Sequence, residues 1–575
     1  MDRMDTADAA GKSIVRNRKT AAEMADLWKG QSMNVKKITT EEFFYFAFFI
    51  ILSVTKGLGL YEGQKLFTLL VVPALFCGLV KILISSYTRR QWAVQILLLL
   101  LTAIVYYESR EIGILFVMFT ILGMKHISLE KVFRLGLWIW SLCAIVLCTV
   151  YFTQIEHTVY RVSQKMWLGY IFRWSFGFTH PNTFHITYFA LCAFILYELA
   201  ERYRFRHFLL LMIGNALVFF YSVSYTGFGI VTLLLCGGLY VRMRPKFNWL
   251  EKCAVQLVLP AILLCSFVLP FLFAHSQSEI VQKLNLLVNT RIKTASLFLE
   301  PECISFFGVK MSYLAEKKYY LSIDSSYVFA FIHYGVIPFM LLMAAYLALV
   351  ADYCRKQKIR ELIMILCFLG AGLTEPLLFN TSFKNITLLF LGELLYRQKE
   401  GEEEYGLLTL AGRAGSMQKA GTLFEKLLLW ITKQTDLAEQ ILRMMEDIWR
   451  RRRRQILVAI AGGALLGMVI CALAYTEPKG YVIPRRYADW QDKNSVYLER
   501  EDDSDYDGYR IMNYQDADTP MQVVEGKAVR LESARYYVGS VLLGGLIGYL
   551  LGAGTMLLMD KDSYVETRRE SNQEE

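Results

Sequence analysis

The chain of 575 residues is 55% hydrophobic, with a mean hydropathy of +0.34 and a formal net charge of +10. Apolar blocks of membrane-spanning length recur almost end to end, which excludes a soluble multidomain enzyme. Lys and Arg sit in short clusters between those blocks, so membrane topology accounts for the charge and nucleic acid is not an expected partner.

Residues 1–42 form a polar tail with no short apolar core and no small-residue cleavage site, so no removable signal peptide is expected. The apolar pattern then predicts about fourteen spans. The first five are Phe43–Tyr61, Leu66–Ile84, Ala93–Tyr107, Ile112–Met124, which is short enough to be tilted or half buried, and Phe133–Thr153. Next come Thr183–Ala200, His207–Tyr221, Thr226–Val241, Cys253–Ala274, Ser325–Val350, Glu361–Leu378 and Phe383–Tyr396. Two more, Ile456–Tyr475 and Val538–Leu558, stand apart at the C-terminus. Basic residues fall in alternate loops: Arg89–Arg90, Lys125 to Arg134, Arg202 to Arg206, Arg242 to Lys246, and Arg355 to Arg360. Those loops are expected in the cytoplasm with both termini, and contacts to membrane lipid explain their charge. Most of the 11 cysteines lie in apolar runs and only Cys303 falls in a long exterior loop, so no disulfide framework is expected.

The long exterior loops, Gln154–Asn182 and Ser276–Asp324, carry the informative residues. Basic side chains held outside run against the usual bias, and a guanidinium fork suits phosphate or pyrophosphate. Arg161, Arg173 and Arg291 are therefore candidates for gripping an anionic headgroup, with ordinary lipid phosphate as the bland alternative. His180-Pro181-Asn182 stands where the first loop turns into a helix, and the imidazole could accept a proton near neutral pH or merely hydrogen-bond locally. Glu375, Asn380 and Lys384 form another polar cluster near the exterior, either lining the same cavity or joined in a Glu375–Lys384 ion pair. No His, Cys or carboxylate spacing fits a transition metal. The stretch Asp503, Asp505, Asp507, Gly508 has the opening of a calcium loop, but its twelfth position is Tyr514, so no metal site is assigned.

The order of GFTHPNTF, the hairpin Ser222-Val223-Ser224-Tyr225-Thr226-Gly227, TRIKTASLFLE leading to FFGVK, and IDSSYVFAFIHYGVIPF resembles the bacterial Wzy-type polysaccharide polymerases, relatives of the O-antigen ligases. The resemblance covers residues 43–396 and implies a GT-C-like, all-α polytopic core of about twelve spans in the bacterial cytoplasmic membrane. It implies metal-independent glycosyl transfer on the outer face, without a cofactor, between glycans carried on undecaprenyl pyrophosphate. By resemblance, Arg173, His180 and Asn182 match the first-loop motif, Thr226 the hairpin, Arg291 the second loop, and Asp324 with Tyr327 the entry to the tenth span. Arginines would bind pyrophosphate, with Arg161 and Glu375 near by, while His180 or Asp324 would take the acceptor proton. Tyr225 stands where many relatives carry a basic residue.

Residues 397–455 read as a cytoplasmic linker, amphipathic from Leu423 to Trp449 and basic at Arg450–Arg454. Residues 456–560 read as a two-span module with an acidic exterior loop, followed by a cytoplasmic tail over 561–575. The module resembles the membrane ends of Wzz-type co-polymerases, shortened between them, and implies control of chain length. Gly544, Gly545, Gly548 and Gly552 would allow close helix approach, as in a homo-oligomer. Flippase and chain-length regulator proteins are further expected partners. A ligase passing glycan to another acceptor, a transporter and an assembly scaffold remain as other readings.

Overall fold

A backbone in lipid must satisfy its own hydrogen bonds, which confines spanning segments of this composition to helices. The computed structural model describes residues 39–152, 160–165, 169–276, 278–288, 290–310, 323–397, 403–406, 449, 451–474, 480–483, 496–500, 508–513 and 516–571. Among these residues seventeen helices form, and nine are long and apolar enough to cross a membrane. The chain is thus an all-α multi-pass membrane protein in its helical body. The fourteen expected spans are not all long helices: Gly113–Leu122, Ile359–Gly372 and Thr387–Leu395 have only 10, 14 and 9 residues.

Burial accounts for the short ones. Nearly every side chain from Gly113 to Leu122 is buried, as are Leu388 to Leu391, so these segments fill the interior of the bundle. The longer helices instead present leucines such as Leu69, Leu97, Leu257 and Leu264 outward. Protein-buried backbone can break its helix because neighbouring polar groups take up the freed hydrogen bonds.

The helices that matter below are α6 (Pro181–Leu199), α7 (Phe205–Ser222), α8 (Tyr225–Met243), α9 (Trp249–His275), α10 (Glu279–Leu287), α11 (Arg291–Phe298), α12 (Ser326–His333), α13 (Val336–Arg355) and α14 (Ile359–Gly372). Helix α8 packs on α6, α7 and α14, while α11 packs on α9 and α12. The last two helices are α16 (Arg451–Ala474) and α17 (Gly526–Ser571).

Stretches that the apolar pattern leaves as loops contain strands, among them the short antiparallel pair β1 (Ser86–Tyr87) and β4 (Tyr405–Gly406). Strand β2 (Tyr160–Lys165) pairs antiparallel with β3 (Gly169–Trp174), setting Arg161 opposite Arg173. Strands β5 to β8 (Gly480–Ile483, Val496–Arg500, Gly508–Asn513, Asp516–Glu525) form an antiparallel meander between the last two spans. The chain forms two units, Phe44–Arg413 with Leu442–Glu575, and Met1–Phe43 with Ala414–Ile441. The core and the C-terminal helices belong to the first of these.

The glycine face of α17 is taken up within the chain. A Cβ on Gly544 would lie 2.2 Å from the Gly463 carbonyl oxygen, and one on Gly548 2.2 Å from that of Ala459. These glycines make a close approach between the two C-terminal spans of one chain. The amphipathic stretch Leu423–Trp449 and the acidic Asp503–Asp507 lie outside the described residues, apart from Trp449.

Candidate active site at the converging loop ends

The first loop is built on buried aromatics. Trp174, Phe176 and Phe178 pack with Tyr151 and Tyr221. To bring three rings inside, the chain turns sharply: Phe176 and Gly177 both take left-handed backbone angles (φ 44° and 76°), and the Phe178 N–H donates to the Ser175 carbonyl at 2.9 Å. Gly177 suits that turn because it has no Cβ. The chain then enters α6 at His180. Its Nδ1 accepts from the Asn182 N–H at 3.0 Å and caps the helix, with Pro181 in the first helical turn.

The α7–α8 hairpin supplies the second part. Val223 is left-handed (φ 44°), and Ser224 caps α8 by accepting from the Gly227 N–H at 3.3 Å. Gly227 allows α8 to lie against α6, since a Cβ there would come within 2.5 Å of the His185 ring. That approach brings Thr226, in the first turn of α8, alongside Asn182 near the start of α6.

The third part comes from the second loop. Thr290 is left-handed (φ 63°) and starts α11, while Asn285 of α10 accepts from the Lys293 N–H at 2.9 Å. Arg291 is thereby presented at the first residue of α11. Opposite it, Ser326 holds the turn after α14: its hydroxyl donates to the Glu375 carbonyl at 2.6 Å and accepts from the Leu378 N–H at 3.1 Å.

These parts meet on one carboxylate oxygen. Glu375 Oε1 accepts from Asn182 Nδ2 at 2.8 Å, from Thr226 Oγ1 at 2.8 Å and from Arg291 Nη2 at 2.9 Å. Arg291 Nε also lies 3.4 Å from Asp324 Oδ2. Arg173, itself buried, donates from Nη2 to Asn182 Oδ1 at 2.6 Å and from Nε to the Ser222 carbonyl at 2.7 Å. A continuous relay results, Arg173–Asn182–Glu375–Arg291–Asp324, with two guanidinium groups and two carboxylates. Glu375 is 7% exposed, and the first turns of α6 and α8 both point their partial positive charge at it. Helices α6 and α8 begin at this cluster, and α14 leads into it. Each carries basic residues at its other end: Arg202 to Arg206, Arg242 with Arg244, and Arg355 to Arg360.

Of the residues singled out in the sequence, the fold therefore brings Arg173, Asn182, Thr226, Arg291, Asp324 and Glu375 together. Tyr327 is not among them, because its hydroxyl turns into the bundle and donates to the Leu369 carbonyl at 2.6 Å. His180 adjoins the cluster through Asn182, but the Nδ1 lone pair is committed to the helix cap. The side chain of Arg161 lies outside the described residues, although its backbone pairs opposite Arg173. Lys384 does not pair with Glu375; its ammonium lies over the rings of Trp140 and Phe178, at 5.7 and 5.3 Å from their centroids. Among the described residues no group of His, Cys, Asp and Glu side chains has the geometry to hold a metal ion.

Sequence reading assigned no role to Ser326, although it lies in the IDSSYVFAF stretch two residues after Asp324. It also missed that the Ser222 carbonyl, exposed by the left-handed break at Val223, is an acceptor for Arg173.

No family model, no curated protein and no solved structure matches this chain.

Proposed function

We propose that the protein polymerises undecaprenyl-pyrophosphate-linked oligosaccharide repeat units on the outer face of the bacterial cytoplasmic membrane, as a glycosyltransferase that needs no metal. The observation that carries this reading is one buried carboxylate, Glu375, that joins two arginines from two separate loops, Arg291 directly and Arg173 through Asn182, at the bundle end away from the basic clusters.

In the proposed reaction the acceptor hydroxyl oxygen attacks the anomeric carbon of the donor glycan. The bond from that carbon to the lipid pyrophosphate breaks with its electron pair on the pyrophosphate. Arg173 and Arg291 offer their remaining guanidinium N–H donors to the oxygens that gain this charge. Glu375 holds Arg291 and, through Asn182, Arg173 in place while the pyrophosphate is absent. Asp324 takes the acceptor proton: its side chain is 36% exposed, whereas Glu375 Oε1 already receives three donors.

The test is the product ladder of a strain lacking the chain, complemented with wild type or Arg291→Ala, with membrane levels checked in parallel. The arginine variant, present at normal level, is expected to leave single lipid-linked repeat units. Long polymer in the complete absence of the chain overturns the reading. Long lipid-linked polymer that fails to reach its final acceptor moves the ligase reading ahead.

A further inference from the structure

The start of α17 reaches the back of the first loop. Glu532 Oε1 accepts from Trp174 Nε1 at 2.6 Å. Arg535 Nη1 pairs with Glu532 Oε2 at 3.0 Å, and its Nε donates to the Phe220 carbonyl at 2.9 Å. The Tyr221 hydroxyl donates to the Arg535 carbonyl at 2.8 Å, and the Tyr536 ring meets the Trp174 ring edge-on at 5.1 Å. Glu532 and Arg535 are 1% and 0% exposed.

The order of these contacts along the chain is the telling feature. Trp174 follows Arg173 directly on β3, and alternate residues of a strand face opposite sides. Phe220 and Tyr221 directly precede Ser222, whose carbonyl accepts from Arg173 Nε. Helix α17 therefore grips, from behind, both backbone segments that hold the Arg173 guanidinium. A buried ion pair contributes little net stability against an apolar pair of the same size, and here both of its members also bind neighbouring segments, Glu532 the Trp174 indole and Arg535 the Phe220 carbonyl.

We propose that Glu532 and Arg535 are positioning residues for Arg173, so that the C-terminal module sets the geometry of the candidate site through β3 and the end of α7. The activity arm of the test rests on the polymerase reading; the exchange arm does not.

The test uses the full chain in nanodiscs and the variant Glu532→Met/Arg535→Met, which keeps the volume buried without leaving a lone charge. Hydrogen exchange is expected to rise several-fold in 170–175 and 219–224 as well as in the start of α17. Polymer yield is expected to fall about tenfold, less than the roughly 10²–10³ lost when a charge-stabilising donor is removed outright, because the guanidinium is loosened and not deleted. Combined with Arg173→Lys, the pair should add almost nothing to the loss caused by Arg173→Lys alone, because both act on one group. Trp174→Phe, which removes only the indole donor, should give a smaller effect in the same direction. Faster exchange confined to α17, or losses that multiply, overturns the proposal. If wild type makes no polymer the function reading fails, and the exchange pattern alone decides the positioning role.

Discussion

Glu375 offers the sharpest test of the cluster. Glu375→Gln keeps the size of the side chain and removes its charge. Three donors meet on Oε1, one of them the Arg291 guanidinium at 2.9 Å. Replacing that charge-assisted bond by a neutral one costs about 1 kcal/mol. Leaving a buried cation unpaired costs roughly 3–5 kcal/mol when isolation is complete. Arg291 is 15% exposed and keeps Asp324 at 3.4 Å, so the expected total is nearer 2 kcal/mol. Glu375→Gln should thus lower the apparent Tm in detergent by a few degrees and weaken polymer formation more than it weakens folding. The assay is a double-mutant cycle with Arg291→Gln, read by thermal unfolding and by the product ladder. The two single changes should overlap by about 2 kcal/mol, so that the double variant is little worse than either alone. Single effects that simply add, within about 0.5 kcal/mol, refute the idea that the two side chains depend on one another.

His180→Asn retains a cap acceptor and should keep polymer formation, while His180→Ala should cost about 1 kcal/mol of stability; an Asn variant that is present but inactive would show that the imidazole does chemistry. Tyr327→Phe removes one buried hydrogen bond, so a loss of about 1 kcal/mol with polymer retained is expected, and abolished synthesis at normal membrane level contradicts that assignment. Gly544→Val should separate the last two spans, seen as faster proteolysis of the C-terminal module; unchanged proteolysis counts against their close packing. Burial, and next the Glu62 carboxylate, raise the Glu111 carboxyl to about 7. Its folded value lies above the unfolded one, so its stabilising contribution is complete below about pH 4.5 and is lost as the pH rises through 7. Glu111→Gln should flatten the fall in Tm between pH 5 and 8, and an unaltered slope refutes the assignment.

The sequence by itself determined the class of protein. Apolar length and clustered basic residues depend only on local composition, so the multi-pass helical body could be read without tertiary information. It also singled out Arg173, Asn182, Arg291 and Glu375, because polar groups at the ends of apolar segments stand out against their surroundings, while Thr226 and Asp324 entered only through the family resemblance. Tertiary structure decided what hydropathy cannot separate. Lipid-facing and protein-buried leucines read alike, so Thr387–Leu395 looked like a span although neighbouring helices enclose it, whereas the short length of Gly113–Leu122 already marked it as tilted or half buried. Partner choice was equally hidden. Glu375 could pair with Lys384 nine residues away in sequence or with Arg291 on another loop, and only the packing of α11 against α9 and α12 favours Arg291. Glu532 and Arg535 carried no signal of this kind in the sequence, and only the fold brings Trp174 and Phe220 against them. Long-range contacts depend on how apolar faces bury one another across the whole chain, and no short stretch of sequence contains that sum.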